Sequence, residues 1–335
     1  MNKAGQHNLD LVIAPFSNQE GEWFWKDAEV REQCSRSKLY MIGQRREVLF
    51  ENIDPAEDAL TLDLVCGEIA LRGIRLPTAQ FPVPKDRNLA LEYGPKIIRV
   101  YAVKPGSVGR TRNPDPDDLV HWFTPDRLIF FFSRGWVQAA GLENFRLFTK
   151  FDLYYVGISK TGDSFSRLFK TAHEKRSRIL GNETQFRDTA RLSDELFIFL
   201  FAVEDLQMIS IGGDDDDYSA LFQPPLDSAK LAADAEKAFV HIMRAKYNAQ
   251  TYPSYPFSTD GLWDEKFDHY GFFINEALTF RTPTTEIRGA RLYDSFFRDA
   301  PDFIVVANDK VSLAKAVRTD VGKPGTAAEA PGAGA

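Results

Sequence analysis

Four polar side chains between residues 160 and 250 have the types that hydrolysis of a phosphodiester needs. That reaction requires positive charge beside the phosphate, proton transfer and commonly a divalent metal. The planar guanidinium of Arg167 could bind the phosphate, and the carboxylate of Glu236 could hold Mg²⁺, a hard cation that binds carboxylate oxygen together with waters. His173 could transfer a proton because its ordinary pKa lies near neutrality, and Asn248 could steady the site.

Alternating strands and helices are expected to position these side chains. Leu147 to Ile158 is apolar and aromatic, which is typical of a central strand, and Glu195 to Glu204 encloses a buried strand. Apolar residues recur at helical spacing from Ser164 to Leu180, which predicts a single helix with its basic residues on the other face. Asp227-Ser228 is a good N-cap pair for a helix that reaches about Lys246.

The order of these motifs resembles that of the GIY-YIG endonuclease family over roughly residues 145–250. The strand Asp152-Leu-Tyr-Tyr-Val-Gly-Ile-Ser159 precedes a helix led by Arg167, and the helix that carries Glu236 ends in Tyr247-Asn248. The resemblance implies metal-dependent cleavage of nucleic acid. It also implies that Tyr155, which aligns with the tyrosine of the family's second motif, orients or deprotonates the attacking water.

Two features depart from the family pattern. No Gly-Ile-Tyr tripeptide precedes Tyr155, so the first tyrosine motif is either missing or replaced by Tyr154. Because neighbouring side chains alternate along a strand, Tyr154 and Tyr155 are expected on opposite faces, and at least one should be a core tyrosine. The family often places a His or Tyr one helical turn after the Arg, whereas here that position is Thr171 and His173 stands six residues after Arg167. Residues i and i+6 of one helix do not share a face, so His173 is expected to point away from Arg167.

Each candidate also has an ordinary structural interpretation. Arg167 could be a surface arginine, and Glu236 could form an ion pair with Lys237 or Arg244. A domain that kept the scaffold but lost catalysis would bind nucleic acid without cutting it.

A basic segment in an acidic chain indicates where nucleic acid could bind. The net charge is −7, which argues against a protein that coats nucleic acid through its overall field. Between Lys160 and Arg191, however, eight basic and four acidic residues give a local net charge of +4. A solvated helix face is the alternative. The candidate phosphate contacts, with DNA expected rather than RNA, are Lys170, Lys175, Arg176 and Arg178.

The length of 335 residues predicts two domains and a tail, in an α+β fold. Residues 1–140 are expected to form a β-rich accessory domain, with strands such as Arg127 to Ser133, that binds a target or a protein partner. Residues 141–315 are expected to form the nuclease-like core, a small mixed sheet flanked by helices, with a C-terminal extension. Residues 316–335 are rich in Gly, Ala and Pro and are expected to be disordered.

Several classes of protein are excluded or disfavoured. Cys34 and Cys66 form no CxxC or Cys/His cluster, so neither a common zinc site nor a disulfide framework is expected. No run of eighteen apolar residues indicates a membrane span, and the first eight residues lack the apolar segment of a signal peptide, so a cytoplasmic protein is expected. The run Gly212-Gly-Asp-Asp-Asp-Asp217 has no EF-hand spacing and is expected to be a solvated loop.

The sequence thus predicts a Mg²⁺-dependent endonuclease. By analogy with the family, its role would be in restriction, in a mobile element or in phage defence. The alternative is an inactive scaffold that binds nucleic acid or protein.

Overall fold

The computed structural model describes residues 2–106, 115–210, 225–291 and 299–317. The expected acidic loop at residues 212–217 and nearly all of the expected tail lie outside these ranges.

Sixteen strands and seven helices are found in the described ranges. The strands are β1 Asn2–Leu11, β2 Phe16–Ser17, β3 Leu39–Gln44, β4 Leu49–Pro55, β5 Ala59–Cys66, β6 Ile69–Pro77, β7 Asn88–Tyr93, β8 Ile98–Val103, β9 Leu119–Phe123, β10 Lys150–Ile158, β11 Leu196–Ser210, β12 His269–Ile274, β13 Thr279–Arg281, β14 Glu286–Arg288, β15 Phe303–Ala307 and β16 Lys310–Ala314. The helices are α1 Asn18–Phe24, α2 Ala28–Cys34, α3 Pro125–Ser133, α4 Ser164–Phe169, α5 Glu174–Asn182, α6 Leu192–Glu195 and α7 Ser228–Met243.

The protein is a mixed α+β fold built on one large sheet. Its strand order is β14-β13-β10-β3-β11-β1-β12-β15-β16, and β2 also pairs with β11. Ten strands make this sheet larger than the small sheet that the family resemblance implies. At its centre β10 and β11 both run antiparallel to β3.

Strands from both sides of the expected boundary at residue 140 lie in this sheet. The N-terminal strands β1 and β3 pair with β11 and β10 from the second half of the chain. The β-rich module is instead an insertion, residues 45–149, between the neighbouring strands β3 and β10. It contains two three-stranded sheets, β4-β5-β6 and β7-β8-β9, together with α3. The insertion has its own core, which includes Phe50, Leu62, Ile74, Val100 and Phe123.

Two elements differ from the sequence prediction. Residues Arg127 to Ser133, predicted as a strand, lie in α3, because Thr124 caps the helix and Pro125 occupies its first turn. A short apolar run by itself does not distinguish a buried strand from a buried helix. The predicted single helix from Ser164 to Leu180 is two helices, because the side chain of His173 caps the start of α5.

The two faces of the large sheet carry separate cores. One face packs on α7 and includes Leu153, Val156 and Phe239. The other packs on α4 and α5 and includes Tyr40 and Phe165. No helix within the described part of the chain is long and apolar enough to cross a lipid bilayer.

Candidate functional site

A β-bulge places both motif tyrosines on one face of the sheet. Leu153 pairs with Gly43 and Tyr155 pairs with Ile42, so Tyr154 is an extra residue that opposes no residue of β3. A bulge of this kind breaks the alternation of side chains along a strand. Tyr154 and Tyr155 therefore both pack on the side of α4 and α5, whereas the sequence predicts opposite faces.

Gly157 leaves room for two tyrosine rings. A Cβ atom at this position would lie 2.5 Å from the ring of Tyr155 and 2.8 Å from the ring of Tyr40. The packing of these two rings therefore requires glycine at this position of the Tyr-Val-Gly motif.

Tyr40 is a site residue that sequence reasoning missed. It lies on β3, beside β10, and is fully buried. Its hydroxyl lies 2.9 Å from Nε2 of His173 and accepts a hydrogen bond from Nε of Arg167 at 3.4 Å. The sequence signal is Leu39-Tyr-Met-Ile-Gly43, a short apolar run that contains a glycine, but the insertion separates it from Tyr155.

His173 lies in the same cluster and is held in one tautomer. Its Nδ1 accepts the backbone N–H of Arg176 at 3.2 Å, so Nε2 carries the proton and donates to the hydroxyl of Tyr40. Burial lowers the pKa of His173 to about 4, and the charge of Arg167 adds to this effect. Because α4 and α5 are separate helices, the six-residue spacing from Arg167 does not keep the two side chains apart.

The hydrogen bonds around Tyr40 determine that its hydroxyl donates to Tyr155 rather than accepting from it. With His173 and Arg167 both donating to Tyr40, the hydroxyl proton of Tyr40 is left to point to Tyr155, whose ring centroid lies 5.9 Å away. Burial raises the pKa of Tyr155, and the carboxylate of Glu236 raises it further, while the hydrogen bond from Tyr40 and the charge of Arg167 act in the opposite direction. Tyr155 is thus a protonated hydroxyl at neutral pH.

Arg167 is exposed at an open cleft of about 650 Å³. Tyr155 and His173 line the same cleft. The hydrogen bond to Tyr40 is the main cause of a raised pKa of Arg167, so the guanidinium is charged at any physiological pH. It offers a fixed positive charge beside the tyrosine hydroxyls.

Glu236 is half-buried on α7, within electrostatic reach of this cleft. Burial raises its pKa, whereas Lys237, Tyr252, Lys160 and Arg167 lower it. Its Oε2 accepts a hydrogen bond from the hydroxyl of Tyr252 at 3.4 Å.

Neither of the expected ion pairs of Glu236 is found among the described residues. The ammonium of Lys237 instead pairs with Asp260 at 2.7 Å, and Arg244 is exposed at the end of α7. The raised pKa shows that nearby cations do not fully offset the burial of the carboxylate. A single carboxylate with waters is a donor set that suits Mg²⁺, although no cluster of three or more His, Cys, Asp or Glu residues suited to a metal occurs in the described ranges.

The other two candidates, Asn248 and Tyr154, do not line the cleft of Arg167. The amide of Asn248 pairs with the backbone of Val156, accepting from its N–H at 3.0 Å and donating to its C=O at 2.8 Å, so it fixes the strand between Tyr155 and Gly157. The hydroxyl of Tyr154 donates to Gln44 at 2.8 Å, away from the residues that line the cleft.

Three of the four basic candidates face open hollows. Lys170 and Lys175 line the cleft of Arg167, and Lys175 also lines a neighbouring hollow of about 470 Å³ together with Arg178 and Lys246. Arg176 is engaged inside the protein, where its guanidinium bonds to Glu22 at 2.8 Å and to Asn18 at 3.2 Å.

Comparisons with protein-family models, with curated proteins and with solved structures found no match for this chain.

Replacement of Gly157 by alanine is expected to lower the free energy of unfolding by about 1–3 kcal/mol, since the new methyl overlaps the two tyrosine rings. Gly181→Ala is the matched control. Gly181 is exposed in α5 with no atom within 4 Å of an added Cβ, so alanine there should stabilise by roughly 0.5–1 kcal/mol. Urea unfolding of both variants is the measurement, and equal effects would contradict the packing described for Gly157.

Proposed function

We propose that this protein is a metal-dependent endonuclease that hydrolyses phosphodiester bonds in nucleic acid. One observation carries the proposal. Tyr155, Arg167 and His173 come from separate parts of the chain and line one open cleft. The buried Tyr40 hydrogen-bonds to Arg167 and His173, and the carboxylate of Glu236 is close enough to perturb the pKa of Tyr155.

Arg167 would bind the scissile phosphate through the planar fork of its guanidinium. Negative charge grows on the phosphoryl oxygens as the bond breaks, and a charged donor fixed beforehand stabilises that state more than the ground state. The hydrogen bond to Tyr40 uses Nε, and no hydrogen bond from the described residues engages the two terminal nitrogens, so their donors can bind a ligand.

Tyr155 would orient the attacking water. Its raised pKa makes it a poor base by itself, so its role is to hold the water by a hydrogen bond. Tyr40 would support it from β3, and we assign Tyr40 rather than Tyr154 to the place of the family's first tyrosine. His173 would act through its fixed hydrogen bond to Tyr40, because a pKa of about 4 keeps it neutral.

Glu236 would hold one Mg²⁺ together with waters. When bound, Mg²⁺ supplies positive charge that polarises a phosphoryl oxygen and assists the leaving group. A half-buried carboxylate whose pKa is raised gains from a nearby divalent cation, because the cation favours the ionised form.

The basic residues around the cleft would follow the nucleic-acid backbone, with DNA as the proposed ligand. Lys170, Lys175 and Arg178 are the proposed phosphate contacts. Arg176 is left out of this set because its guanidinium already pairs with Glu22.

Changing Lys170, Lys175 and Arg178 together to glutamate is expected to weaken DNA binding strongly. Each lost phosphate contact removes about 0.9 from the slope of log K against log salt, so three contacts remove roughly 2.7. The matched control changes three exposed lysines elsewhere, Lys85, Lys104 and Lys310, to glutamate with the same change in net charge. Fluorescence anisotropy with a labelled duplex between low and moderate salt measures both slopes. Equal losses in the two variants would mean that only net charge matters and that α5 is an ordinary solvated face.

A second candidate function is a scaffold that binds nucleic acid without cutting it. The single carboxylate and the raised pKa of Tyr155 favour it, because neither group is poised as a base on its own. Cleavage of labelled DNA with Mg²⁺ separates the two functions, since the scaffold would bind the same DNA and leave it intact. In either case, the insertion at residues 45–149 would bind a target or a protein partner.

A further inference from the structure

A pocket of about 190 Å³ lies between the large sheet and the insertion, and shares no lining residue with the cleft of Arg167. We call it the interface pocket. On one side it is lined by residues of α1 and α6, and on the other by residues of β8, β9 and α3. Pockets between two packed parts of a protein are common places for small ligands.

Aromatic rings form much of the wall of the interface pocket. Trp23, on α1, is 58% exposed although it is a large apolar side chain. Phe24 and Trp122 line the same pocket, with ring centroids 5.8 Å apart. An exposed indole beside other rings offers a flat surface on which a planar ligand can stack.

The charged groups of the interface pocket present positive charge outwards. Lys96 pairs with Glu47 at 2.7 Å and with Asp194 at 2.9 Å, and Arg191 pairs with Asp194 at 3.2 Å. The cations are 52% and 67% exposed, whereas the two carboxylates are only 11% and 8% exposed. A ligand that arrives from solvent therefore meets ammonium and guanidinium groups first.

The remaining carboxyl groups of the pocket do not oppose an anion strongly. Asp126 pairs with Arg45 at 2.9 Å. Glu20 accepts the backbone N–H of Ser17 at 2.7 Å, and burial raises its pKa to about 7, so it opposes an anion less than an ordinary carboxylate does.

We propose that the interface pocket binds a nucleotide, with the base stacked on Trp23 and the phosphate at Lys96 and Arg191. Flat apolar walls suit the base, and exposed cations at the rim suit the phosphate. The nucleotide can be a free nucleoside phosphate or one unit of a single-stranded nucleic acid. This site is separate from the cleft and needs no cleavage, so it goes beyond the proposed nuclease function.

Binding is tested in EDTA, where the proposed cleavage plays no part. Quenching of tryptophan fluorescence and isothermal titration calorimetry are measured with AMP, GMP, CMP and UMP, with ribose 5-phosphate, and with a short single-stranded oligonucleotide. The proposal expects the mononucleotides or the oligonucleotide to bind at least tenfold more tightly than ribose 5-phosphate, because stacking of a base contributes that much. Binding of the mononucleotides identifies a free nucleotide as a ligand, and binding of the oligonucleotide alone identifies a strand.

Two variants locate the site. Trp23→Ala is expected to weaken binding roughly tenfold or more. Arg191→Ala is expected to weaken binding of the phosphate-bearing ligands but not of adenosine, which is titrated as a ligand without phosphate. The matched control is Trp136→Ala, because Trp136 is 61% exposed and lies outside the pocket. Failure of every nucleotide and of the oligonucleotide to bind overturns the proposal. Equal affinities of the Trp23→Ala and Trp136→Ala variants, or of AMP and ribose 5-phosphate, overturn it too. None of these outcomes bears on cleavage at Glu236.

Discussion

Replacement of Glu236 by glutamine is expected to reduce Mg²⁺-dependent cleavage by several orders of magnitude, with fold and affinity for nucleic acid close to wild type. The amide has nearly the same size but no charge, so it cannot replace the only carboxylate proposed to hold the metal. The fold should tolerate the change because burial raises the pKa of Glu236, which means that the folded protein stabilises the ionised form less well than water does. Single-turnover cleavage of labelled DNA measures the effect.

Asp260→Asn is the control for Glu236→Gln. Asp260 is 60% exposed and pairs with Lys237, the neighbour of Glu236. Its replacement by asparagine removes one negative charge nearby, as Glu236→Gln does, but leaves the proposed metal ligand Glu236 in place. Cleavage by this control should stay within a few fold of wild type. If Glu236→Gln cleaves as fast as wild type, the site lies elsewhere in the protein and the family resemblance does not extend to function.

Replacement of Arg167 by alanine is expected to slow the chemical step by about 10²–10³-fold. This is the usual effect of removing one preorganised hydrogen-bond donor that stabilises a transition state. Arg167→Lys should recover only part of this loss, because an ammonium keeps the charge but lacks the planar fork. Arg167 is exposed, so both variants should fold, as near-wild-type urea unfolding would show.

Arg178→Ala is the matched control for Arg167→Ala. It removes an exposed arginine that lines the neighbouring hollow rather than the cleft. Its effect should appear in the affinity for DNA and in its salt dependence, with the rate at saturating DNA unchanged. Similar losses of the saturating rate in both variants would contradict a special role for Arg167.

Much of the scaffold around the site could be predicted from the sequence. The mixed α+β class is confirmed. Helix α7 begins at the predicted N-cap, where the side chain of Asp227 accepts the N–H of Ala229. The apolar run from Leu196 to Val203 lies in β11, as expected. These elements carry strong local signals, namely a capping residue and a long hydrophobic run.

The arrangement of the site depends on contacts that a local pattern does not carry. The bulge at Tyr154 is defined by pairing with β3, which lies on the far side of the insertion in the sequence. Tyr40 was missed for the same reason. The break between α4 and α5 depends on a histidine cap, and Asn, Asp, Ser and Thr are the residues that normally signal such a start.

Cleavage of labelled DNA and RNA by the wild-type protein, with Mg²⁺ and with excess EDTA, tests the central claim most directly. The proposed site predicts cuts within DNA that require Mg²⁺ and disappear in EDTA. Intact DNA and RNA in the presence of Mg²⁺, Mn²⁺ and other divalent metals, under conditions where anisotropy shows the DNA bound, would contradict the nuclease and establish the scaffold instead.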